Sequence, residues 1–109
     1  MIDKKIAVVV LNWNGAKLLE QFLPSVVAYS DEAKIYVADN ASTDNSIAII
    51  KEKFPSITII QNDGNYGFAK GYNLALEQVE EEYYALVNSD IEVTKNWLTC
   101  ILNIFETQA

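Results

Sequence analysis

Tyr84-Ala85-Leu86-Val87-Asn88-Ser89-Asp90 passes from four apolar residues directly into an amide, a hydroxyl and a carboxylate. An apolar run of this length suits a strand covered on both faces, and the tripeptide after it puts ligand-binding groups at the strand's end. The same event recurs upstream. Ile6 to Leu11 leads into Asn12-Trp13-Asn14, Ile35 to Ala38 into Asp39-Asn40, and Ile57 to Ile60 into Gln61-Asn62-Asp63-Gly64. Four such runs predict an α/β fold, an open parallel sheet of about four strands flanked by helices. In open α/β sheets ligands sit outside the carboxyl ends of the strands at a topological switch point, so the four polar clusters are expected to converge on one crevice.

Parallel strands need helical crossovers, and four helix-like segments supply the alternation. The first, about residues 16–29, carries Leu18, Leu19, Phe22, Leu23 and Val26 on one stripe, and Pro24 is expected to kink or divide it. The second opens at Ser42-Thr43-Asp44, whose side chains can cap exposed amides, repeats Ile47, Ile50 and Phe54, and is stopped by Pro55. The third runs from about Phe68 to Glu81 with Phe68, Tyr72, Ala75, Leu76 and Val79 inward. The fourth follows Thr94 with Trp97, Leu98, Ile101, Leu102 and Phe105 inward. Glu80-Glu81-Glu82 falls where the third helix ends, the unfavourable end for anions, and reads as a solvated turn.

The chain has 109 residues, half of them hydrophobic, which is one domain of ordinary size, residues 1–109, able to bury a core. Its net charge is −7 and all eight cations are lysine, which disfavours nucleic acid as a partner. Histidine is absent and Cys100 is the lone cysteine, expected in the core, so a bound metal would need oxygen ligands. That points to a hard divalent cation, Mg²⁺ or Mn²⁺. Only six apolar residues follow the lysines at 4 and 5, too few for a signal-peptide core, and no segment approaches the roughly 18 that a membrane helix needs. The expectation is a soluble, cytoplasmic domain with no transmembrane segment.

Three of the four glycines lie in Asp63-Gly64-Asn65-Tyr66-Gly67-Phe68-Ala69-Lys70-Gly71. Glycine lets a backbone approach a ligand closely, but G-x-x-G-x-x-x-G after the third strand is not the dinucleotide fingerprint, and no P-loop is present. These glycines could equally serve only tight turns and helix packing. Asp39 could accept hydrogen bonds from a ribose or a base, or cap a turn in Asp39-Asn40-Ala41-Ser42. Asp44 reads better as a first-turn helix residue than as a ligand contact. Asp90 is the candidate metal ligand, although Asn-Ser-Asp alone also suits an ordinary turn.

Four stretches together, Val8 to Gly15, Val37 to Asp44, Asn62 to Asn73 and Leu86 to Asp90, resemble the amino-terminal half of a family 2 glycosyltransferase of GT-A, Rossmann-like fold. These are inverting enzymes that use nucleotide-diphospho-sugars. The resemblance implies that Leu11, Asn12 and Asp39 line the base and ribose pocket, that Asn65, Gly67 and Lys70 border the nucleotide and diphosphate, and that Asn88-Ser89-Asp90 stands in place of the D-x-D motif. Asp90 would then hold a divalent cation, Mn or Mg, and Asn88 would face the ribose. The amide at 88 resembles rhamnosyltransferase-like members. The resemblance also implies a saccharide or lipid-linked acceptor, and a carboxylate general base supplied by a following half. No residue here matches that base, so the chain is expected to be the donor-binding piece of a longer enzyme in polysaccharide biosynthesis, inactive alone. Peripheral membrane association of the longer parent and self-association through uncovered apolar surface are further expectations.

Two other readings stay open. A nucleotidyltransferase shares the scaffold but would carry a glycine-rich, basic loop after the first strand, where Asn12-Trp13-Asn14-Gly15 offers one glycine and no cation before Lys17. A non-catalytic interaction module of receiver type would carry paired acids there, where this chain has asparagines.

Overall fold

The structure is a computed structural model in which residues 6–98 are described. The element order is β1 (Ile6–Asn12), α1 (Ala16–Ala28), β2 (Ala33–Asn40), α2 (Ser46–Lys53), β3 (Thr58–Asn62), α3 (Gly67–Leu76) and β4 (Tyr83–Asn88). All four strands are parallel, in the order β3-β2-β1-β4. Every residue of β1 is buried, as expected of a central strand between two neighbours and two helical layers.

The strand order dictates where the helices lie. From β1 to β2 to β3 the chain steps outward in one direction, and right-handed crossovers put both connecting helices on one face. From β3 it must return past β2 and β1 to reach β4, and the same handedness sends that crossover to the opposite face. The packing agrees. Leu19, Leu23 and Val26 of α1 and Ile50 of α2 share a cluster with Ile6, Val8, Val10, Ile35 and Val37. Tyr72 and Ala75 of α3 pack with Ala7, Val9, Leu11, Tyr36, Ala38 and Ile60, the alternate residues of the same strands.

Several expectations shift. Helix α1 is not divided at Pro24, which lies inside one continuous, 13-residue element with its ring on the exposed side, while the inward Leu19, Leu23 and Val26 are fully buried. Helix α2 starts at Ser46 rather than Ser42, because residues 42–44 spend their polar groups on tertiary hydrogen bonds, and its inward residues are Ile49 and Ile50. Helix α3 ends at Leu76, before the glutamates, and Val79 still packs against the core from the turn that follows. Glu81 is not merely solvated, since it accepts a 2.7 Å hydrogen bond from the Tyr36 hydroxyl.

After β4, Val93 and Leu98 are buried in the α1/α2 cluster. Two serines of the α1 region dock this segment: Ser25 Oγ accepts from the Val93 amide at 3.1 Å, and Ser30 Oγ from Trp97 Nε1 at 3.0 Å. The rest of the predicted fourth helix and Cys100 lie outside the described residues, as does the side chain of Phe68. Among the described residues no helix is long and apolar enough to cross a membrane.

Candidate functional site

Polar residues close each strand, and they interlock on both faces of the sheet. On the α1/α2 face, Asn12 and Asp39 are register partners. Asn12 Nδ2 donates to Asp39 Oδ1 at 2.8 Å and to Ser42 Oγ at 3.2 Å, while Asn12 Oδ1 accepts from the Gly15 amide at 3.2 Å. Asp39 also accepts from Ser42, through Oδ1 from the hydroxyl at 2.6 Å and through Oδ2 from the amide at 2.9 Å. Both residues are 1% exposed. Buried carboxylates and amides persist only when so partnered.

The loops above this pair are tied in turn. Asn14 Oδ1 accepts from the Thr43 amide at 2.7 Å and the Asp44 amide at 3.2 Å, and the Asn14 amide donates to Ser42 Oγ at 2.9 Å. Asp44 Oδ1 accepts from the Ser46 amide at 3.0 Å and from the Ser46 hydroxyl, and Oδ2 from the Ala16 amide at 3.2 Å. One carboxylate therefore serves the amino-terminal ends of both α1 and α2. Desolvation pushes the Asp44 carboxyl up, but the hydrogen bonds from Ser46 and the backbone amides together hold it below the usual carboxylate value.

On the α3 face, Asn40 and Asn62 are likewise register partners, with Asn62 Nδ2 donating to Asn40 Oδ1 at 2.7 Å. Tyr72 of α3 donates its hydroxyl to the Val87 carbonyl at 2.9 Å, which holds α3 across the gap to β4. Burial pushes the Tyr72 phenol up, so it stays protonated as a donor.

Between these layers lies an open cleft of about 230 Å³, lined by Leu11, Trp13, Asn40, Asn65, Gly67 and Ser89. It stands at the carboxyl ends of β1 and β4, where the strand order reverses, the position that open α/β sheets use for ligands. Leu11, Asn65 and Gly67 from the sequence-based set line it. Asn12 and Asp39 are buried on the opposite face of the sheet from Asn40 and support the loops. Lys70 is exposed on α3, its ammonium 4.5 Å from the centre of the Tyr66 ring. Asn88 and Asp90 are exposed on either side of Ser89, in a turn closed by the Ile91 amide donating to the Asn88 carbonyl at 3.3 Å. The turn reading of Asn-Ser-Asp and its position at the switch point are therefore both true.

Trp13, which is 53% exposed, and Asn40 line the cleft too, although neither stands among the residues expected from the sequence. An apolar aromatic directly after a buried strand was the available signal. Among the described residues no three His, Cys, Asp or Glu side chains cluster to hold a metal.

A family model described as glycosyl transferase family 2 matches residues 7–109. The chain belongs to that family. A teichoic acid poly(glycerol phosphate) polymerase of Staphylococcus epidermidis is 27% identical over 106 residues, covering 93% of this chain and 15% of the relative. The poly(ribitol-phosphate) beta-N-acetylglucosaminyltransferase TarS of Staphylococcus aureus is 31% identical over 101 residues, covering 86% of this chain and 18% of TarS. The family 2 chain thus spans less than one fifth of the length of either relative. A crystal structure of TarS in complex with UDP-GlcNAc superposes with a TM-score of 0.83 at 27% identity, over 94% of this chain and 31% of that one. A mannosyltransferase from Pyrobaculum calidifontis, in complex with GDP-Man and Mn²⁺, gives a TM-score of 0.76 at 24% identity, over 86% of this chain and 30% of that one, a likeness of fold. The family 2 chain has the GT-A fold of these neighbours.

Proposed function

We propose that this chain forms the donor-binding half of an inverting glycosyltransferase that moves a sugar from a nucleotide-diphospho-sugar to an acceptor hydroxyl. The observation that carries the reading is the cleft at the β1/β4 switch point in a family 2 chain. Its volume is below the roughly 300–1,000 Å³ of complete small-molecule sites, which suits the nucleoside portion of a donor with the remainder lying outside. Trp13 offers an aromatic face on which a base can stack. Leu11 supplies an apolar wall, and Asn65, Ser89 and Asn88 supply hydrogen-bonding groups for base and ribose.

The diphosphate would run toward Lys70 and the Asn88-Ser89-Asp90 turn. Among the described residues no charged side chain lines the cleft itself, so two negative phosphates need compensation from its rim. Asp90 is exposed beside Ser89 and offers the oxygen ligand that a hard divalent cation requires. One carboxylate with phosphate oxygens and water is an ordinary donor set for Mg²⁺ or Mn²⁺. Such an ion, when bound, supplies Lewis-acid stabilisation of the departing diphosphate. The TarS complex with UDP-GlcNAc and the mannosyltransferase complex with GDP-Man and Mn²⁺ support donor and cation of these classes. The teichoic acid relatives support a role in polysaccharide synthesis.

Calorimetric titration with UDP, dTDP and GDP, each with and without Mn²⁺, tests the reading. Metal-enhanced binding of one nucleotide is expected and would name the donor's base. A folded sample that binds none of them would remove the donor-site assignment from this chain.

A further inference from the structure

Asn40 and Asn62 make a directed chain of amides that the nucleotide-site reading leaves unused. Asn40 is 1% and Asn62 8% exposed. Asn62 Nδ2 donates to Asn40 Oδ1 at 2.7 Å and to the Gly71 carbonyl at 3.2 Å, and Asn40 Nδ2 donates to the Gly67 carbonyl at 3.2 Å. The orientation of both amides is determined by chemistry. Backbone carbonyls only accept, so each NH₂ group must face α3, and the one remaining oxygen–nitrogen pairing is the observed one. Gly67 and Gly71 are one helical turn apart, so the two asparagines hold the first turn of α3 at two points.

The packing leaves no slack. A Cβ added at Gly71 would stand 2.7 Å from Asn40 Nδ2 and 3.1 Å from Leu11 Cδ1, so the glycine is what lets α3 reach the amides. Gly67, where the chain enters α3 at φ +74°, lines the cleft, as do Asn40 and Leu11. The Gly67–Phe68 peptide is trans, so tying its carbonyl to Asn40 directs the Phe68 amide the opposite way, toward the amino-terminal end of the helix. First-turn amides have no partner within their own helix.

We infer that Asn62, acting through Asn40, is a positioning residue: the amide pair fixes the first turn of α3 against the ends of β2 and β3, and so fixes the Asn65–Gly67 wall of the cleft for a nucleoside diphosphate. This deepens the proposed donor site and rests on it. A carboxylate at either position accepts but cannot donate, so substitution by the isosteric acid breaks the chain while preserving shape. Asn62 itself lies outside the cleft lining, and any effect it has on a nucleotide is indirect.

The test compares wild type with Asn62→Asp, Asn62→Ala and the control Val26→Ala, a core change on the opposite face of the sheet. Backbone hydrogen exchange over residues 67–76 and 6–12 is measured alongside calorimetric titration with UDP, dTDP and GDP in the presence of Mn²⁺. Expected are at least tenfold faster exchange in α3 with β1 unaltered, and about tenfold weaker binding of whichever nucleotide wild type binds. Val26→Ala should lose stability without losing affinity. Unchanged α3 exchange would overturn the clamp, and faster exchange with unchanged affinity would overturn the positioning role. An equal affinity loss in Val26→Ala would also overturn it, by reducing the effect to general stability. Faster α3 exchange in a protein whose wild type binds no nucleotide would sink the donor-site reading and the positioning role together, leaving the clamp as a structural device. If the Asn62 variants fail to fold, Asn40→Asp carries the exchange measurement, because it keeps the acceptor for Asn62 and removes only the donor to Gly67.

Discussion

Asn12 and Asp39 face each other across the β1–β2 ladder, and the Asn12 amide donates to the Asp39 carboxylate at 2.8 Å. This one bond joins the loop that follows β1 to the loop that follows β2, because Asn12 also accepts from Gly15 and Asp39 also accepts from Ser42. Asp39→Asn keeps the shape but turns one acceptor oxygen into a donor facing other donors. The expected loss is about 2 kcal/mol of stability, read as a lower midpoint in urea unfolding. Asp39→Ala should also weaken nucleoside diphosphate binding with and without Mn²⁺ by loosening the loop that carries Trp13, and affinity equal to wild type would show that Asp39 plays no part in shaping the cleft.

Asp90 stands exposed in the turn after β4, where its loss creates no cavity. Asp90→Ala should abolish the metal-dependent part of nucleotide affinity and leave stability within about 0.5 kcal/mol of wild type. Titrations with and without Mn²⁺ that still differ in the variant would take Asp90 out of the metal role.

Asp44 couples the starts of α1 and α2, and its hydrogen bonds outweigh desolvation to depress its pKa in the folded state. A depressed carboxyl stabilises the fold in full above its unfolded value and loses that contribution as pH falls through the folded value. Asp44→Asn should therefore be less stable than wild type at pH 7, and the gap should close in acid, below about pH 4. Urea midpoints of both proteins at pH 7 and pH 3 check the sign. A gap that widened in acid would contradict it.

Gly71 and Gly67 predict different costs for the same change. At Gly71 an added methyl meets Asn40 and Leu11, both held in place, so Gly71→Ala should destabilise by about 1–3 kcal/mol despite the roughly 1 kcal/mol gain in helix propensity. At Gly67 the space is open but the backbone is left-handed, and Gly67→Ala should cost about 1–2 kcal/mol without disturbing the Asn40–Asn62 bond. Unfolding curves give the energies, and the amide signals of Asn40 and Asn62 distinguish the two mechanisms.

The strands were legible because Val8, Val9 and Val10 and their counterparts in β2 form apolar runs that a doubly covered sheet buries. The run in β4, expected to be covered on both faces, instead leaves Tyr84 and Leu86 51% and 48% exposed on the α3 face. The strand ends were read one or two residues short, at Leu11, Ala38, Ile60 and Val87, because polar residues in sequence resemble loop. Asn12, Asp39, Asn40 and Asn62 are in fact the last rungs of the ladder, their polarity satisfied across strands. The start of α2 was misread for the same reason. Ser42 and Asp44 look like local caps, yet Ser42 bonds Asp39, Asn12 and Asn14, and Asp44 reaches back to α1 as well as serving α2.

The sequence by itself determined the α/β alternation, the parallel sheet and the gathering of polar groups at the strand ends, because hydrophobic periodicity and chain connectivity are local properties. Tertiary structure alone decided which polar group meets which. Side chains alternate faces along a strand, so adjacent Asp39 and Asn40 point to opposite sides, one to the loops over α1 and α2 and the other to α3. Their partners, Asn12 and Asn62, lie 27 and 22 residues away, and only the strand register brings them within hydrogen-bonding distance.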